Sequence, residues 1–565
     1  MSVLGKKWVL KAESCGKPIL DILLENRGIL SDEEKQKFLN TDGTLKFHSP
    51  FLMKGMQKTV DRIMNAIEKQ ERIMIFGDYD VDGITSAAIM YHALKKLNAN
   101  YSVRLPNREK DGYGLSKKFI DEFVKADVKL IITVDCGISC NSEVSYGLEK
   151  GIETIITDHH SIPEQIPTDA YSINHPKLED SGYPFTELTG AGVAFKVAHA
   201  LFEHNFGPEK ASEELEQLLE LAALGTIADI GIAQGENRLI IKKGLANLLN
   251  TRYPGLKILK EFAGIQEVQN SEISALTVGF QIAPRINAAC RIGDPYCALK
   301  ILIKEDEKTL YECARELEEL NQKRQKMTEE TFSEAFEKFE TLKREGKLPY
   351  ILVAESPNWH VGIIGLAASR LAEKFGRPAV IMQDFGDTLT ASARSITGFN
   401  ITEALSQFKD ILMTFGGHQE AAGLSVEKKN FQKLKEGLEE YAEKQLKDKD
   451  LRQTLAIDCE LQEEQINDNL IEDIWKLKPF GVRNSRPLFV IKNVKPQFVD
   501  AVGRNKNHIK FTAQINKNNY PVIGFRLGEH SEKIKKQKSF DMACHVDYNF
   551  WNGQKVLQLE LVDFQ

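Results

Sequence analysis

The sequence predicts an α/β protein of several domains that ends in a small β-barrel. Three observations indicate this class. The chain has 565 residues, which is too long for one hydrophobic core. Between about residues 61 and 200, short β-branched runs alternate with helical stretches, as they do in parallel βαβ units. After residue 450, short alternating strands are separated by turn-forming NKN and NG, which is typical of a small barrel.

The predicted elements follow one another in a simple order. Residues 1–60 are expected to form a helical extension, and residues 61–304 the first α/β domain. Residues 305–346 contain no proline and no glycine before Gly346, and their apolar residues recur at helical spacing, so we expect one long connecting helix packed along its apolar stripe. YILVAES and RPAVIM flank a helical segment in a second α/β domain, residues 347–447. The polar EKQLKDKDLRQ then leads into the barrel, residues 450–565.

Composition limits the classes of function. Apolar residues make up 42% and charged residues 27%, as in soluble globular proteins, and no run of 18 apolar residues predicts a membrane span. The eight cysteines form no CxxC pair, and the N-terminus resembles no secretory signal, so we expect free thiols in a cytoplasmic protein.

Charge is unevenly distributed along the chain. The net charge of −7 argues against a general nucleic-acid binder, yet the stretch from Lys476 onward has 16 Lys and Arg against 7 Asp and Glu. An acidic body with a basic end suits an enzyme that binds metals in one part and a polyanion in another. The alternative is a solvated basic face.

Acidic and imidazole side chains follow the predicted strands where those strands end. The stretches are IMIFGDYDVDG with Asp78, Asp80 and Asp82, TVDCG with Asp135, TDHH with His159 and His160, and GTIADI with Asp229. Parallel strands present their carboxyl ends to ligands at one edge of a sheet. Gathered carboxylates repel one another unless divalent cations separate them, and oxygen ligands with one imidazole suit Mn²⁺ or Mg²⁺. Any one of these aspartates, taken alone, could instead be a helix N-cap.

The second α/β domain contains two candidate phosphate-binding turns. SARS, residues 392–395, offers hydroxyls and a guanidinium. GGHQEAAG, residues 416–423, is expected to be a glycine-rich turn that presents His418 before small residues open a helix. A tight structural turn is the alternative for each.

GDYDVDG, TVDCG, TDHH and GTIADI, in this order, resemble the four motifs of the DHH phosphoesterase superfamily. With NREKDGYGL, GAGVAFK, APRINAACR, WHVGIIGLAASRLAEKFGRPAV, SARSITGFN and GGHQEAAG, the chain resembles the RecJ family of bacterial single-strand-specific 5′→3′ DNA exonucleases, from Trp8 to the barrel. The resemblance implies a DHH catalytic domain, a DHH-associated domain and an OB-fold. It also implies degradation of single-stranded DNA to 5′-mononucleotides in recombination and repair.

The resemblance implies roles for the site residues and a pair of divalent cations, Mn²⁺ or Mg²⁺. Asp80 and Asp82 would ligate different ions, and Asp135 would bridge them. The second site would be completed by His159 and Asp229, and Asp78 would ligate or orient at the first. His160 would contact the scissile phosphate or move a proton.

The resemblance also implies a set of residues that hold the DNA strand. They are Arg108, Tyr113, Arg285, Asn287, Arg291, Arg370, Ser392, Arg394, Ser395, His418 and Arg504. Tyr113 would stack on a base or pack inside the protein, and Arg370 would contact phosphate or be a surface charge. Lys506, Lys510, Phe511 and Phe525 belong to the barrel, where Phe511 is equally suited to the core. The chain has Cys290 and Ala393 where the family usually has glycine.

Other functions remain open at the level of sequence. A phosphodiesterase for short oligoribonucleotides or cyclic dinucleotides would need only the two α/β domains. A catalytically inactive DNA-binding scaffold would be expected to lose carboxylates that this chain keeps, and a family II pyrophosphatase would lack the barrel. For the exonuclease, the expected partners are single-stranded DNA, single-strand-binding protein and a RecQ-type helicase, and the expected state is a monomer.

Overall fold

The structure is a computed structural model that describes residues 2–13, 16–39, 46–108, 110–112, 114–265, 272–551 and 554–565. The chain divides into two compact units. The larger unit comprises Ser14–Asn321 and Glu464–Pro487, and the smaller unit comprises Met1–Glu13, Gln322–Glu463 and Leu488–Gln565.

The strands are numbered in chain order. They are β1 (Lys7–Leu10), β2 (Arg72–Gly77), β3 (Tyr101–Arg104), β4 (Val128–Val134), β5 (Glu153–Thr157), β6 (Ser172–Asn174), β7 (Leu352–Ser356), β8 (Ala379–Asp384), β9 (Thr388–Arg394), β10 (Leu412–His418), β11 (Ala421–Glu427), β12 (Thr454–Ile457), β13 (Cys459–Glu460), β14 (Phe489–Val502), β15 (His508–Ile515), β16 (Asn518–Gly524), β17 (Phe540–Trp551) and β18 (Gln554–Phe564).

The α-helices are numbered in the same way. They are α1 (Ile19–Glu25), α2 (Asp32–Leu39), α3 (Met56–Glu68), α4 (Val81–Lys96), α5 (Lys117–Lys125), α6 (Asn141–Glu149), α7 (Gly190–Phe206), α8 (Pro208–Glu216), α9 (Leu219–Ala228), α10 (Gly235–Leu249), α11 (Pro254–Phe262), α12 (Ala275–Thr277), α13 (Ala283–Ile292), α14 (Pro295–Ile303), α15 (Glu307–Arg344), α16 (Val361–Phe375), α17 (Ile401–Ser406), α18 (Phe431–Leu446), α19 (Asp468–Lys476) and α20 (Ser531–Lys535). A π-helical turn spans Val278–Ile282, and short 3₁₀ turns span Pro50–Leu52, Lys428–Asn430, Glu463–Gln465 and Gly528–His530.

The larger unit contains a five-stranded parallel sheet in the order β3-β2-β4-β5-β6. Its central strands β2 and β4 are almost continuously apolar because both faces of the sheet are covered. One hydrophobic cluster contains Ile75 and residues of α4, α7 and α9, and another contains Phe76 and residues of α5. The predicted parallel βαβ arrangement is confirmed, and it places the ends of β2, β4 and β5 at one edge.

The smaller unit contains a second sheet and a barrel. The sheet has the order β10-β11-β9-β8-β7, in which only β7 and β8 pair in parallel. The barrel runs β14-β15-β16-β18-β17 and closes where β17 pairs with β14. The predicted α/β domain and C-terminal barrel are therefore confirmed. Near the N-terminus, β1 pairs in parallel with β12.

Helix α15 is a single helix of 38 residues inside the predicted range 305–346. Its apolar stripe is buried, with Leu310 and Leu317 in one hydrophobic core and Ala335 and Phe339 in another, so the stripe is packing. The predicted domain limits stay predictions. Across the described ranges, no helix combines the length and apolar character that crossing a bilayer requires.

Candidate metal centre

Three parallel strands deliver the predicted site residues to one place. Asp78 follows β2, Asp135 follows β4, and His159 lies two residues after β5. Asp229 comes from elsewhere in the chain, as the residue that caps the C-terminal end of α9. Because the three strands are parallel, their carboxyl ends bring Asp78, Asp135 and His159 together at one edge of the sheet.

Asp80 and Asp82, which follow β2, make different hydrogen bonds. Asp80 is the N-cap of α4, where its side chain accepts a hydrogen bond from the Gly83 N–H at 3.1 Å. Asp82 is buried in the first turn of α4, and its carboxylate accepts hydrogen bonds from the N–H groups of Gly190 at 2.7 Å and Ala191 at 2.8 Å. The capping alternative thus holds for Asp80, whose carboxylate still lies within reach of Asp78 and Asp135.

Asp135 lies at the centre of the cluster. The residue is 2% exposed and has a left-handed backbone with φ of 61°. Its Oδ1 lies 3.1 Å from His159 Nε2, and both atoms are buried without a hydrogen-bond partner. Helix α7 begins so close by that a Cβ on Gly190 would lie 2.4 Å from this oxygen, so glycine is required there.

His159 lies close to the carboxylates of Asp82 and Asp229. Its Nε2 lies 3.7 Å from Oδ2 of Asp82 and 3.7 Å from Oδ2 of Asp229. Burial, reinforced by the positive charge of His160, lowers the pKa of His159 to about 3. The ring is therefore neutral, which is the form that binds metal.

His160 belongs to a different pair, with Asp158. Its Nδ1 lies 2.7 Å from Oδ1 of Asp158, and that oxygen also accepts the N–H groups of His159 and His160. The other oxygen of Asp158 accepts the Ile138 N–H at 2.9 Å. Burial alone would lower the pKa of His160, but the hydrogen bond and charge of Asp158 outweigh it and raise the pKa to about 9. Asp158 had no predicted role, although it is the acid of the TDHH motif itself.

The carboxyls repel one another strongly. Burial and then the charge of Asp80 raise the pKa of Asp78 to about 8 and that of Asp229 to about 7. Burial also raises the pKa of Asp82 and Asp135 well above the ordinary value, and each is raised further by a neighbouring acid. Positive charge delivered between these groups would remove the repulsion.

The ligand atoms fit divalent cations. Three groups have donor atoms within 4.8 Å of one another, and they are Asp78–Asp80–Asp135, Asp82–His159–Asp229 and Asp135–His159–His160. Carboxylate oxygens and a neutral imidazole are ligands that Mn²⁺ and Mg²⁺ accept. The partnerless buried oxygens of Asp78 and Asp135, and the partnerless nitrogen of His159, are the atoms that such ions would satisfy.

A loop from far along the sequence supports the segment that carries Asp229. Residues 476–485, here called the docking loop, pair with the segment after Asp229 through a bridge between Ile232 and Val482 and an Ala233 N–H donated to Val482 O at 2.8 Å. Ile230 lies between Asp229 and this pairing in the sequence. Its backbone is left-handed, with φ of 59°, which is unusual for a β-branched residue.

Buried polar side chains hold the docking loop. Arg238 donates to the carbonyl oxygens of Phe38, Lys476, Leu477, Lys478 and Pro479 at 2.7 to 3.4 Å. Asn484 is fully buried; its amide donates to two of those carbonyls, and its oxygen accepts from Arg27 Nε at 2.7 Å. Sequence reasoning missed these residues because contacts between positions some 240 apart leave no local pattern.

The described DNA-binding candidates of the larger unit lie in the segment between β3 and α5 and on α13. The Arg108 guanidinium lies 5.6 Å from the ring centroid of Tyr79, beside Asp78. Arg285 forms an ion pair with Glu318 at 2.6 Å. Asn287 and Arg291 are half-buried on α13, where Arg291 is one turn and a half beyond Arg285. Tyr113 lies outside the described residues. The Cys290 side chain is buried and donates to Ile286 O, so its Cβ points into the protein.

The predicted clamp of the smaller unit lies on β9 and β10. Arg394 Nη1 donates to Ser392 Oγ at 3.0 Å, and Ser395 donates to Phe399 O at 2.7 Å. Helix α16 approaches so closely that a Cβ on Gly365 would lie 2.9 Å from Ser392 Oγ. Ala393 is buried on the opposite face of β9.

GGHQEAAG differs from its predicted conformation. The expected helix after His418 is wrong: Gly416–His418 end β10, and Ala421–Gly423 begin β11, so the motif is the turn of a β-hairpin. The small residues have a different reason, since β11 lies between β10 and β9 and its Ala422 is opposite Ala393. His418 is exposed beside this turn.

Four further residues named from the sequence have clear environments. Arg370 forms an ion pair with Glu329 at 2.8 Å and lies over the ring of Phe332, as a surface charge would. Arg504 is exposed in the turn between β14 and β15. Phe511 is buried in the barrel core, whereas Phe525 is 55% exposed.

Comparison with known proteins gives three family matches. The "DHH family, N-terminal domain" matches residues 72–226, the "DHHA1 domain" matches residues 348–444, and the "RecJ OB domain" matches residues 457–563.

Individual proteins match along nearly the whole chain. The single-stranded-DNA-specific exonuclease RecJ of Bacillus subtilis is 38% identical over 97% of this chain and 68% of its own length. The protein of the same name from Haemophilus influenzae is 31% identical over 97% of this chain and 96% of its own length. Among solved structures, RecJ from Thermus thermophilus in complex with Mn²⁺ superposes with a TM-score of 0.83, at 28% identity, over 99% of this chain and 79% of that chain.

Proposed function

The chain belongs to the RecJ family of single-stranded-DNA-specific exonucleases, and we propose that it degrades single-stranded DNA from the 5′ end to 5′-mononucleotides. It is a phosphodiester hydrolase that uses divalent cations, Mn²⁺ or Mg²⁺. The observation that carries the proposal is the convergence of five carboxyls and one neutral imidazole at one edge of the sheet, where bound cations would relieve their repulsion.

The residues divide into two ligand sets. Asp78 and Asp80 would hold one ion, and Asp82, His159 and Asp229 would hold the other. Asp135, which lies within reach of Asp78 and Asp80 and 3.1 Å from His159, would be the shared ligand. When bound, the ions supply activation of the attacking water and neutralisation of the phosphate oxygens.

His160 works on the substrate side of the site. Its Nδ1 is hydrogen-bonded to Asp158, and its Nε2 would contact the scissile phosphate or transfer a proton there. The His160 side chain is 43% exposed, so the ring is accessible to a strand entering the site. Asp158 is therefore a positioning residue for His160.

Several side chains bind the strand away from the reacting bond. In the larger unit they are Arg108, Asn287 and Arg291, with Arg285 available if its ion pair with Glu318 opens. In the smaller unit they are Ser392, Arg394, Ser395 and His418, and Arg504 with exposed Phe525 on the barrel. Guanidinium groups and hydroxyls bind phosphates, and exposed aromatic rings stack on bases without reading sequence.

The RecJ OB domain favours a long substrate over a short oligonucleotide or cyclic dinucleotide. We further propose that the enzyme is a monomer of the cytoplasm. It acts there in recombination and repair, alongside single-strand-binding protein and a RecQ-type helicase that expose single strands.

The proposal is tested by digestion of end-labelled DNA. Strands labelled at the 5′ or the 3′ end, and matching duplexes, are incubated with Mn²⁺, Mg²⁺ or a chelator. We expect 5′-labelled single strands to release labelled mononucleotide at once, 3′-labelled strands to shorten progressively, and duplexes and chelated samples to stay intact. Early release of the 3′ label, or turnover in chelator, would contradict the proposal.

A further inference from the structure

A basic cavity lies in the smaller unit, outside the residues assigned above. The cavity has a volume of about 470 Å³ and lies between the residues before β1, the end of α16 and the segment after α18. Six cationic side chains line it: Lys6, Lys374, Arg377, Lys447, Lys449 and Arg452. Among the described residues, two carboxylates line it, those of Glu373 and Asp450. This excess of positive charge stands out in a chain whose net charge is −7.

Arg377 is the least satisfied of these cations. Its guanidinium lies 4.4 Å from the ring centroid of Tyr350, and its Nη1 is buried without a hydrogen-bond partner. In the described part of the chain, no carboxylate forms an ion pair with it. Burial lowers the pKa of Arg377, as expected for a cation held partly out of water without an anion. A buried donor without an acceptor is rare in native proteins and requires an explanation.

Neighbouring pairs use up only part of the charge. Asp450 is engaged by Arg452, at 2.9 Å from Nε and 2.8 Å from Nη2. Lys447 lies 3.7 Å from Glu443. Lys449 donates to Gly398 O at 3.1 Å, a contact that leaves its charge uncompensated.

The ends of helices do not explain the rest. Lys374 lies in the last turn of α16, where a cation offsets the helix dipole. Arg377 lies beyond the C-cap residue Gly376, and Lys6 precedes β1, so neither belongs to a helix end. The described residues provide no ion-pair partner for Lys6 or for Lys374. Four of the cations that line the cavity therefore have no ion-pair partner among the described residues: Lys6, Lys374, Arg377 and Lys449.

We propose that this cavity, the basic pocket, binds phosphate groups, with Arg377 and Lys374 as its main contacts, and that the phosphates belong to a nucleic-acid strand. A guanidinium presents N–H donors in a fork that matches phosphate oxygens, and lysine adds a mobile charge. The nucleic-acid form of this inference rests on the proposed function. A free mononucleotide offers the same phosphate chemistry and is the second source that the experiment separates.

The test compares the full chain with R377M, K374M and the double variant. Lys338→Met with Lys433→Met is the matched control, since it removes two exposed lysines from the same unit. Binding of a single strand of about 40 nucleotides, several times the span of one OB-fold, is measured in chelator over a range of salt. We expect the slope of log K against log salt to become shallower by about 0.7 for each lost phosphate contact, or about 1.4 for the double variant. The control should keep the wild-type slope, and a slope that falls as far in the control as in the double variant would contradict a specific role of the basic pocket.

A second measurement separates strand from free nucleotide. Thermal unfolding is followed with a deoxynucleoside monophosphate or inorganic phosphate at constant ionic strength. Stabilisation that disappears in R377M or K374M while the salt slope is unchanged assigns the pocket to free phosphate compounds and overturns its nucleic-acid form. An unchanged slope with no such difference overturns the proposal. K374M, at an exposed position, keeps the test available if R377M unfolds. Because binding is measured without metal, the result does not depend on nuclease activity, and failure of this proposal can be distinguished from failure of the proposed function.

Discussion

Asp135 shows at the scale of one residue how the metal centre trades stability for function. Its carboxyl is buried, has no hydrogen-bond partner on Oδ1 and faces His159 and the other acids. Burial and then the charge of Asp82 raise its pKa well above the ordinary value. Such a group destabilises the metal-free fold at neutral pH, because the unfolded chain can ionise it freely.

Asp135→Asn is therefore expected to have opposite effects on activity and on metal-free stability. Hydrolysis should fall by roughly 10³-fold or more because the ligand shared by both ions is lost, while single-strand binding stays close to wild type. In chelator, the melting temperature should rise at pH 7, and the gain should shrink as the pH falls toward the ordinary pKa of an aspartate, about 4, and below it, because the carboxyl then becomes protonated in the unfolded chain as well. Differential scanning calorimetry and single-turnover kinetics measure the two effects.

Asp121→Asn is the matched control, since Asp121 is an exposed carboxylate that accepts a hydrogen bond from Tyr146. It should change neither the rate nor the pH dependence of stability. Wild-type hydrolysis by the Asp135 variant in Mn²⁺ would remove this residue from the ligand set.

Asp158 gives a second prediction at the same scale, because its contacts place it behind His160. Asp158→Asn should lower kcat by about 10² to 10⁴-fold, the range of general acid–base catalysis, with little change in KM. His160→Ala should lower it to a similar extent, and the double variant should be no worse than the poorer single one. Additive losses in this double-mutant cycle, measured at saturating DNA, would mean that Asp158 does not act through His160.

The sequence was a good guide to the acids and the imidazole that meet at the edge of the sheet, and a poor guide to the side chains that support them. Asp78, Asp82 and Asp135 were predictable because strand ends in a parallel sheet converge. The ion pair of Arg285 with Glu318 was not, because the partners lie on separate helices whose packing no local pattern specifies.

At the scale of elements, the docking loop connects a late segment of the chain to the segment that carries Asp229, a proposed metal ligand. Asn484 and Arg238 fix the loop from one side, and Val482 pairs with the segment that follows Asp229 from the other. The strained backbone of Ile230 lies between the ligand and this pairing. Such a backbone persists only where its surroundings fix it.

Asn484→Ala is accordingly expected to weaken the ion held by Asp82, His159 and Asp229 by about tenfold, the low end of effects seen for residues that orient metal ligands. The ion held by Asp78 and Asp80 should keep its affinity. Electron paramagnetic resonance of Mn²⁺ titrations resolves the two binding steps without any assay of activity. Excess Mn²⁺ should restore hydrolysis.

Asn467→Ala is the control for that measurement, because Asn467 belongs to the same stretch and caps α19 through the Leu470 N–H. Equal Mn²⁺ affinities in Asn484→Ala and wild type, or parallel losses in both variants, would separate the loop from the metal centre.

Element types followed from periodicity, but one motif shows where periodicity is ambiguous. In GGHQEAAG the small residues fit a helix start and a tight hairpin equally well. Partner strands decide between them, since β11 lies between β10 and β9, and a helix there would leave β10 without a partner strand and β9 paired on one side only.

At the scale of the whole molecule, the chain crosses between its units more often than its sequence suggests. The segment Glu464–Pro487 belongs to the larger unit, although polar residues near Asp450 mark the expected start of the barrel domain. Likewise, Met1–Glu13 belongs to the smaller unit through the pairing of β1 with β12. Composition marks linkers, but it does not reveal which unit a segment joins.

This organisation predicts different results for two truncations. A chain ending at Lys449 loses the barrel and also the docking loop with its contacts to Arg238, so single-strand affinity, Mn²⁺ affinity and stability should all fall. A chain ending at Pro487 keeps the loop and loses the barrel strands. It should bind long strands at least tenfold more weakly, since stacked bases contribute about 1–3 kcal/mol each, while cleavage of a saturating short strand changes little.

Fluorescence anisotropy, Mn²⁺ titration and single-turnover cleavage, run side by side, distinguish the two truncated chains. If both chains lose Mn²⁺ affinity equally, the docking loop does not support the metal centre; if the longer one binds DNA as the full chain does, the barrel does not hold the strand.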